Sequence, residues 1–402
     1  MAITIIETPD KFTPAFNPVV FRISSDNYAQ PDFKFVADVY SGTGQLLVTL
    51  KYQPQVAGNE PIDFDISRNL HELVASNYCK LNEVVGSDII LTGAGAISGY
   101  SVQFGEQYNN IVYANLASYS GYIFNGALNN KRFAFYSQAN YLNKQFLTRF
   151  PRQVVRKRDS ALLSILQSDT AAMANFALNI FNTTGTSIYA TNIANPFTSL
   201  ANTSNRLLHL HCGFDHLYSI LAFSSTIYNT AAYYTITPGA GTAMRLDLFS
   251  KCERFPGIRL YFLNELGGFD SFNFMLASRP QQLNEKKAYQ RQPDNRRTAY
   301  DSVNRRFEAT MRNYSTSYTE KLKVTSDYLT DTEAELLEGL MYSPLVYQEA
   351  EASEYGGPEG QNVLIPVDIK MQDYTRKKTR LDKMFNVELD IEMTYDNYMQ
   401  SV

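Results

Sequence analysis

The sequence predicts a mainly β protein of several domains with a few short helices. Its 402 residues exceed what one hydrophobic core usually organises. Apolar residues alternate with polar ones in short segments, and turn residues separate these segments. The chain has 28 Tyr and 25 Phe, and aromatic residues favour strands. Charged residues make up only 19%, which is also typical of a surface covered by neighbouring proteins.

Residues 1–107 are predicted to form an N-terminal β-sandwich of the immunoglobulin or fibronectin kind. Val19–Ser25, Phe33–Tyr40 and Gln45–Tyr52 have the residue pattern of strands. The turn Ser41–Gly44 separates the second of these from the third. Short strands at this spacing are the pattern expected of a sandwich.

Two local features of this domain give more specific predictions. Ser67 precedes Arg68–Val74 and is predicted to cap a short helix there. Gly93–Gly99 follows an apolar segment and resembles a dinucleotide-binding loop, which requires GxGxxG at the start of a helix. Here the spacing is GxGxxxG and the next segment alternates like a strand, so a glycine-rich hairpin is the better interpretation.

Residues 108–145 change in character and are predicted to form an arm or an extended hairpin. Tyrosines are interleaved here with Asn, Ser and Gly. Long segments of this kind usually form interfaces or carry function. The interface candidates are Tyr108, Tyr113, Tyr119, Tyr122, Tyr136 and Tyr141.

Two further regions complete the predicted organisation. Residues 146–285 are predicted to form a second β-rich domain, in which Asp159–Leu166 fits either a helix or a strand. A polar, basic stretch marks the boundary with a C-terminal α+β region, residues 286–402. In that region Thr330 and Glu333 form a predicted capping box, which places a helix directly after Thr330.

Charge and cysteine content argue against several classes of protein. The net charge is −4, so no overall basic excess favours nucleic acid or an anionic membrane. The basic clusters Arg149–Arg158, Arg291–Arg306 and Arg376–Arg380 fit solvated or salt-bridged faces, or contacts with an acidic neighbouring subunit. Three widely spaced cysteines predict neither a disulfide scaffold nor a structural zinc site.

The start of the sequence has no basic segment followed by a long apolar one, so we expect no signal peptide. No stretch approaches the roughly 20 apolar residues that span a bilayer. The sequence therefore predicts a protein that does not insert into membranes.

One cluster has residue types that could bind a metal ion. His209, His211, Asp215 and His216 lie close together, and the first two should share one face of a strand. The pattern departs from the HxHxDH motif of metallo-β-lactamase-like hydrolases, because three residues separate His211 from Asp215. We therefore expect histidines that line a strand end, with no metal, no cofactor and no catalytic residue, and keep these four as weak metal candidates.

Five segments of the chain carry a family resemblance: Phe12–Phe21, Phe33–Tyr40, Phe64–Arg68, Arg259–Phe274 and Leu322–Pro344. They resemble stretches of virion proteins of crAss-like and related Bacteroidetes-infecting tailed phages. Since these segments come from the beginning, middle and end, the resemblance extends over most of the chain. It implies a non-enzymatic ring or adaptor protein of the tail or head–tail connector, located in the virion and made in the host cytoplasm.

The expected partners are copies of the same chain in a ring and other tail or connector proteins. DNA would at most pass through such a ring without specific binding. Two alternatives stay open at this point. One is a receptor-binding or fibre-associated virion module, and the other is a metal-dependent hydrolase that uses His209, His211 and Asp215.

Overall fold

The structure, a computed structural model, confirms the predicted fold class: 51% of the residues are in strands and 14% are helical, in several sheets. It describes residues 3–54, 61–74, 88–249, 257–276, 278–290, 300–301, 306–307, 311–370, 386–394 and 397–398. The chain divides into two compact units. The first comprises Met1–Lys251, Tyr261–Phe272 and Tyr342–Pro344, and the second comprises Cys252–Leu260, Asn273–Met341 and Leu345–Val402. No helix among the described residues is both long and apolar enough to cross a membrane.

Two sheets at the start of the first unit enclose one aromatic core. One sheet has the strand order β1-β3-β6, and the other has the order β2-β9-β8-β4-β5. Their bounds are β1 (Ile3–Glu7), β2 (Phe12–Pro14), β3 (Val20–Ser25), β4 (Lys34–Ser41), β5 (Leu46–Tyr52), β6 (Ile62–Asp65), β8 (Ile97–Tyr108) and β9 (Ile111–Phe124). Phe21 and Phe64 from the first sheet pack edge-to-face on Phe104 from the second.

The β8–β9 hairpin turns at Asn109 and Asn110, and both have positive φ angles. Two consecutive residues of this conformation match the twist of the flanking strands, and Asn tolerates it better than most residues. The register shifts between Phe104 and Glu106. A side chain on the intervening Gly105 would collide with the carbonyl oxygen of Tyr113, so this irregularity requires glycine.

Two more sheets complete the first unit. Their strand orders are β10-β16-β15-β12-β13 and β11-β14-β7. The bounds are β7 (Ile90–Thr92), β10 (Arg152–Val155), β11 (Leu162–Leu166), β12 (Asn175–Asn182), β13 (Ser187–Ala194), β14 (Leu207–His211), β15 (Ala231–Pro238) and β16 (Met244–Leu248). All five residues of β11 are buried, which explains why its apolar run shows no strand alternation and also fits a helix.

The helices of the first unit are short. They are α1 (Ser67–Leu70), α2 (Asn130–Phe133), α3 (Phe214–Leu221) and α4 (Ser225–Thr230), with 3-10 turns at His71–Val74, Gln138–Asn140 and Thr203–Arg206. The predicted cap of α1 is wrong: Ile66 occupies the N-cap position, and Ser67 lies inside the helix. The carboxylate of Asp65 accepts a hydrogen bond from the Ser67 N–H at 2.9 Å instead.

A second core within the first unit joins segments that are far apart in sequence. Phe12, Ile97 and Phe124 pack with Leu147 and Leu207. The predicted boundary between residues 107 and 108 falls inside β8. The prediction of a glycine-rich hairpin at Gly93–Gly99 is wrong, because this segment connects β7 to β8 and the two strands lie in different sheets. Among the described residues that link them there is no helix. Residues from 1–107, 108–145 and 146–251 therefore lie in one compact unit.

Most strands of the second unit belong to a sheet with the order β18-β17-β23-β24-β25-β22-β19, in which β26 also pairs with β22. Bounds of the remaining elements are β17 (Ile258–Leu263), β18 (Phe269–Phe274), β19 (Arg279–Gln290), β20 (Tyr300–Asp301), β21 (Arg306–Phe307), β22 (Met311–Thr325), α5 (Asp331–Tyr342), β23 (Val346–Glu351), a 3-10 turn at Ala352–Tyr355, β24 (Asn362–Ile369), β25 (Glu388–Met393) and β26 (Asn397–Tyr398).

The predicted capping box at the start of α5 is confirmed. The Glu333 N–H donates to Thr330 Oγ1 at 3.3 Å, and the Thr330 N–H donates to Glu333 Oε2 at 3.0 Å. These reciprocal bonds satisfy two backbone donors that a helix start leaves without partners. The predicted boundary between residues 285 and 286 falls inside β19.

Candidate interaction surfaces

The histidine cluster lies at the end of β14. His209 and His211 are two residues apart on this strand, and both are buried. Nδ1 of His209 is 2.8 Å from Oγ of Ser164, within hydrogen-bond distance. Asp215 begins the first turn of α3 and accepts a 2.5 Å hydrogen bond from the hydroxyl of Tyr228. His209 and Asp215 are therefore each bound to a different neighbour.

His211 and His216 contact each other instead. Their ring centroids are 3.9 Å apart in an edge-to-face arrangement, and His216 Nε2 is 3.2 Å from the carbonyl oxygen of Asp88. Burial, together with the neighbouring His216, lowers the pKa of His211 to about 3. Burial also lowers the pKa of His216. Among the described residues, no three His, Cys, Asp or Glu side chains are grouped so that they could hold a metal ion.

We expect His211 to make the first unit sensitive to acid. The folded state keeps His211 neutral, whereas the unfolded chain protonates it below about pH 6.5, so stability falls as the pH decreases below that value. Between pH 7 and pH 5 this loss should reach about 2 kcal/mol. His211→Phe removes the titrating group and should reduce the loss, measured by urea unfolding at both pH values. His71→Phe is the control, and an equal loss in wild type and His211→Phe would contradict the assignment.

Most of the six tyrosine candidates contact their own chain. Tyr119 packs edge-to-face on Phe21, with its hydroxyl bonded to the Pro9 carbonyl at 3.0 Å. Tyr122 stacks on Phe12 with ring centroids 4.8 Å apart. The hydroxyl of Tyr136 donates to the Phe12 carbonyl oxygen at 2.8 Å. These three side chains therefore help to hold residues 9–12 against the rest of the first unit.

Tyr136 and Tyr141 stack on each other and line a cavity of about 250 Å³. Its lining includes Glu265, which pairs with Arg132 at 2.6 Å and with Arg149 at 3.4 Å. Burial raises the pKa of both tyrosines. These features make the cavity part of the internal packing of residues 128–149 and 265–266.

The other two tyrosine candidates lie at the exposed end of the β8–β9 hairpin. Tyr108 and Tyr113 stack with ring centroids 4.6 Å apart. Next to Tyr113, the side chains of Ile111, Val112 and Leu116 are all exposed. The hairpin end thus has a small aromatic and aliphatic surface, which is a candidate contact site.

A larger exposed feature is the arm, which we define as the paired strands β19 and β22, residues 279–290 and 311–325. The pairing runs from Arg279 opposite Lys323 to Gln290 opposite Met311. All twelve residues of β19 are exposed. At the base of the arm, β25 pairs with Lys321–Thr325, and β26 pairs with Ser317 and Tyr318. Beyond these contacts, β19 and β22 have no other strand partner among the described residues.

Large apolar side chains of the arm are solvent-exposed. Leu283 is 49% exposed, Tyr289 46%, Met311 65% and Tyr314 53%. A two-stranded hairpin is marginally stable in water unless another surface covers it. A long exposed edge strand also offers unpaired backbone groups to a partner. Of the surfaces described, the arm is therefore the one that contact with another chain would stabilise most.

The strand β19 of the arm was missed from sequence because most of its residues are polar. Residues 284–306 look like a polar boundary, since no apolar alternation marks β19. The available signal was the series of Tyr, Ser and Thr between Tyr314 and Thr325, which favours strands. No protein-family model matches the chain, and no curated protein matches it. A function therefore has to be inferred from these surfaces and from the resemblance of particular segments.

Proposed function

We propose that this chain is a structural subunit of a tailed-phage virion, which assembles with copies of itself and with neighbouring virion proteins into a ring or adaptor of the tail or head–tail connector. The arm is the observation that carries the proposal. Its twelve-residue edge strand is exposed throughout, and its exposed apolar residues favour coverage by another chain. The exposed end of the β8–β9 hairpin supplies a second contact surface.

The remaining support comes from resemblance and composition. Five segments resemble virion proteins of crAss-like and related phages, and low charge with many tyrosines suits a subunit that is largely covered by neighbours. The histidine cluster is tied to Ser164, Tyr228 and the Asp88 carbonyl, which fits a packing role. In this proposal the protein acts by contact, with no chemical step.

Shortening the arm should abolish self-association while the rest of the chain stays folded. Residues 287–315 are replaced by Asn-Gly, because Lys286 faces Thr316 and two residues of this type close an antiparallel pair. Native mass spectrometry over a range of concentrations should show a defined oligomer for the wild type and a monomer for the shortened chain. Asn110→Gly, which places the same turn in the β8–β9 hairpin, is the control and should keep the wild-type mass.

The virion assignment has its own test. Particles of a phage that encodes the chain are purified by banding and nuclease treatment, and their proteins are quantified by mass spectrometry. We expect peptides of this chain at many copies per particle. Absence of these peptides from the particles would contradict the proposal. A wild-type protein that stays monomeric at every concentration, also when particle components are added, would contradict it as well.

A further inference from the structure

The charges of the second unit are separated along the sequence. Residues 279–323 have 11 Lys and Arg against 5 Asp and Glu, a net charge of +6. Residues 324–369 have 10 Asp and Glu and no Lys, Arg or His, a net charge of −10. The rest of the chain is balanced, with 25 residues of each sign. The net charge of −4 therefore hides two adjacent segments of opposite sign.

The positive segment includes the arm. Arg279, Lys286 and Lys287 are exposed, and none of them is in an ion pair with another described residue. At the base of the arm the situation differs, because Lys321 pairs with Glu392 at 3.4 Å and Lys323 pairs with Glu388 at 3.2 Å. Arg279 lies at the base, opposite Lys323, whereas Lys286 and Lys287 lie farther out and keep positive charge that the described part of the chain does not neutralise.

The negative segment includes an exposed turn between β23 and β24, which we call the acidic turn, residues 351–360. Glu351, Glu354 and Glu359 are exposed there. Gly356 and Gly360 have positive φ angles, and the Gly360 N–H donates to Glu351 Oε1 at 3.3 Å. The acidic turn therefore has a defined backbone conformation that presents several carboxylates to solvent.

Strand register places the arm and the acidic turn at the same end of the sheet. Lys321 of β22 faces Glu392 of β25, and Val367 of β24 faces Met393. Both neighbours of β25 are antiparallel to it. Beyond the Met393 end of β25, β22 therefore continues toward Met311 on one side, and β24 continues toward Asn362 on the other side. One lateral side of the sheet end is therefore basic and the opposite side is acidic.

We propose that the arm of one copy docks on the acidic turn of the next copy, head to tail. This inference rests on the proposed self-assembly and names the surfaces that carry it. Each copy offers one basic and one acidic surface, so the contact is heterologous and repeats from copy to copy until the ring closes. Two arms repel each other, as do two acidic turns, so complementary charge also excludes the wrong pairings.

A basic arm also has the charge needed to contact nucleic acid phosphates. Docking on a second copy is the stronger inference, because one contact accounts for both the arm and the acidic turn. A nucleic-acid contact accounts for the arm alone and leaves the exposed carboxylates of the acidic turn, Glu351, Glu354 and Glu359, unexplained. Binding to duplex DNA is therefore measured as a separate readout in the experiment that follows.

Charge reversal on each surface tests the contact. The arm variant is Lys286→Glu with Lys287→Glu, and the turn variant is Glu354→Lys with Glu359→Lys. Each alone should raise the dissociation constant of self-association by about tenfold or more, because like charges then meet at the contact. An equimolar mixture should regain association, since the reversed arm fits the reversed turn and each native arm fits a native turn. The association should also weaken with added salt.

The matched control is Lys131→Glu with Lys144→Glu, which reverses two exposed lysines of the first unit and should leave the oligomer unchanged. Circular dichroism and thermal unfolding check that all variants stay folded. If both charge-reversed variants assemble like the wild type, the proposed docking is wrong and the proposed function is unaffected. The docking is also wrong if each variant loses self-association and the mixture does not regain it. A third contradicting outcome is an arm variant that loses DNA binding while its self-association is unchanged. A monomeric wild type would overturn both proposals.

Discussion

Replacing Glu349 by Gln is expected to lower the free energy of unfolding of the second unit by about 3–5 kcal/mol. The side chain of Glu349 is only 6% exposed, and its Oε2 lies 3.5 Å from Nε of Arg259, which is 1% exposed. Arg259 also donates to Oδ1 of Asn273 at 3.0 Å. Removing one charge of a buried pair is costly because the other charge stays in a medium of low dielectric constant.

Urea unfolding at pH 7 measures this change. Asp390→Asn, at an exposed position on β25 of the same sheet, is the control and should change stability by less than about 0.5 kcal/mol. A double replacement of Arg259 and Glu349 by Met should be less destabilising than Glu349→Gln alone, since apolar pairs of similar volume can replace a buried ion pair. A loss below about 1 kcal/mol for Glu349→Gln would show that the pair is well solvated.

Asp270→Asn is expected to remove a loss of stability that accompanies rising pH. Asp270 follows the turn between β17 and β18 and is 2% exposed. Burial raises its pKa to about 7, although the hydrogen bond from Asn264 and the nearby Arg149 act in the opposite direction. Asn264 donates to Asp270 Oδ2 at 2.8 Å and to the Leu147 carbonyl at 2.7 Å. The carboxyl is therefore held inside the first unit.

The direction of this pH dependence follows from the raised pKa of Asp270. Between about pH 4 and pH 7 the folded protein keeps the Asp270 proton and the unfolded chain releases it, so stability decreases as the pH rises through this window. From pH 5 to pH 8 the wild type should lose roughly 3 kcal/mol from this group. Asp270→Asn should flatten the dependence, whereas the control Asp63→Asn should keep it. Parallel urea midpoints of wild type and Asp270→Asn across the pH range would contradict this prediction.

Local signals predicted some elements correctly. The pair Thr330 and Glu333 marked the start of α5, because a capping box involves only neighbouring residues and needs no tertiary context. The sequence left Asp159–Leu166 undecided, since β11 is buried on all sides and only its pairing with β14 makes it a strand. Ser67 has the right residue type for a cap. Because β6 ends at Asp65 and α1 begins at Ser67, the N-cap position falls on Ile66 instead.

Surfaces were harder to predict than elements. The prediction singled out six tyrosines for contact with other chains, and Tyr119, Tyr122 and Tyr136 contact residues 9–21 of their own chain. Their partners are about a hundred residues or more away in the sequence, and no local pattern encodes such a pairing. The arm and the acidic turn lie in segments of opposite charge, and the net charge of −4 for the whole chain conceals this separation.

The position of β25 between β24 and β22 has a consequence for the timing of synthesis. Domains generally fold as their residues emerge from the ribosome, at roughly 5–20 residues per second. The strands of the first unit up to β16 are complete by Leu248, but the base of the arm is secured only when Glu388–Met393 has been made. If the arm docks as proposed, a nascent chain would acquire this docking surface only after the strands up to β16 have been made.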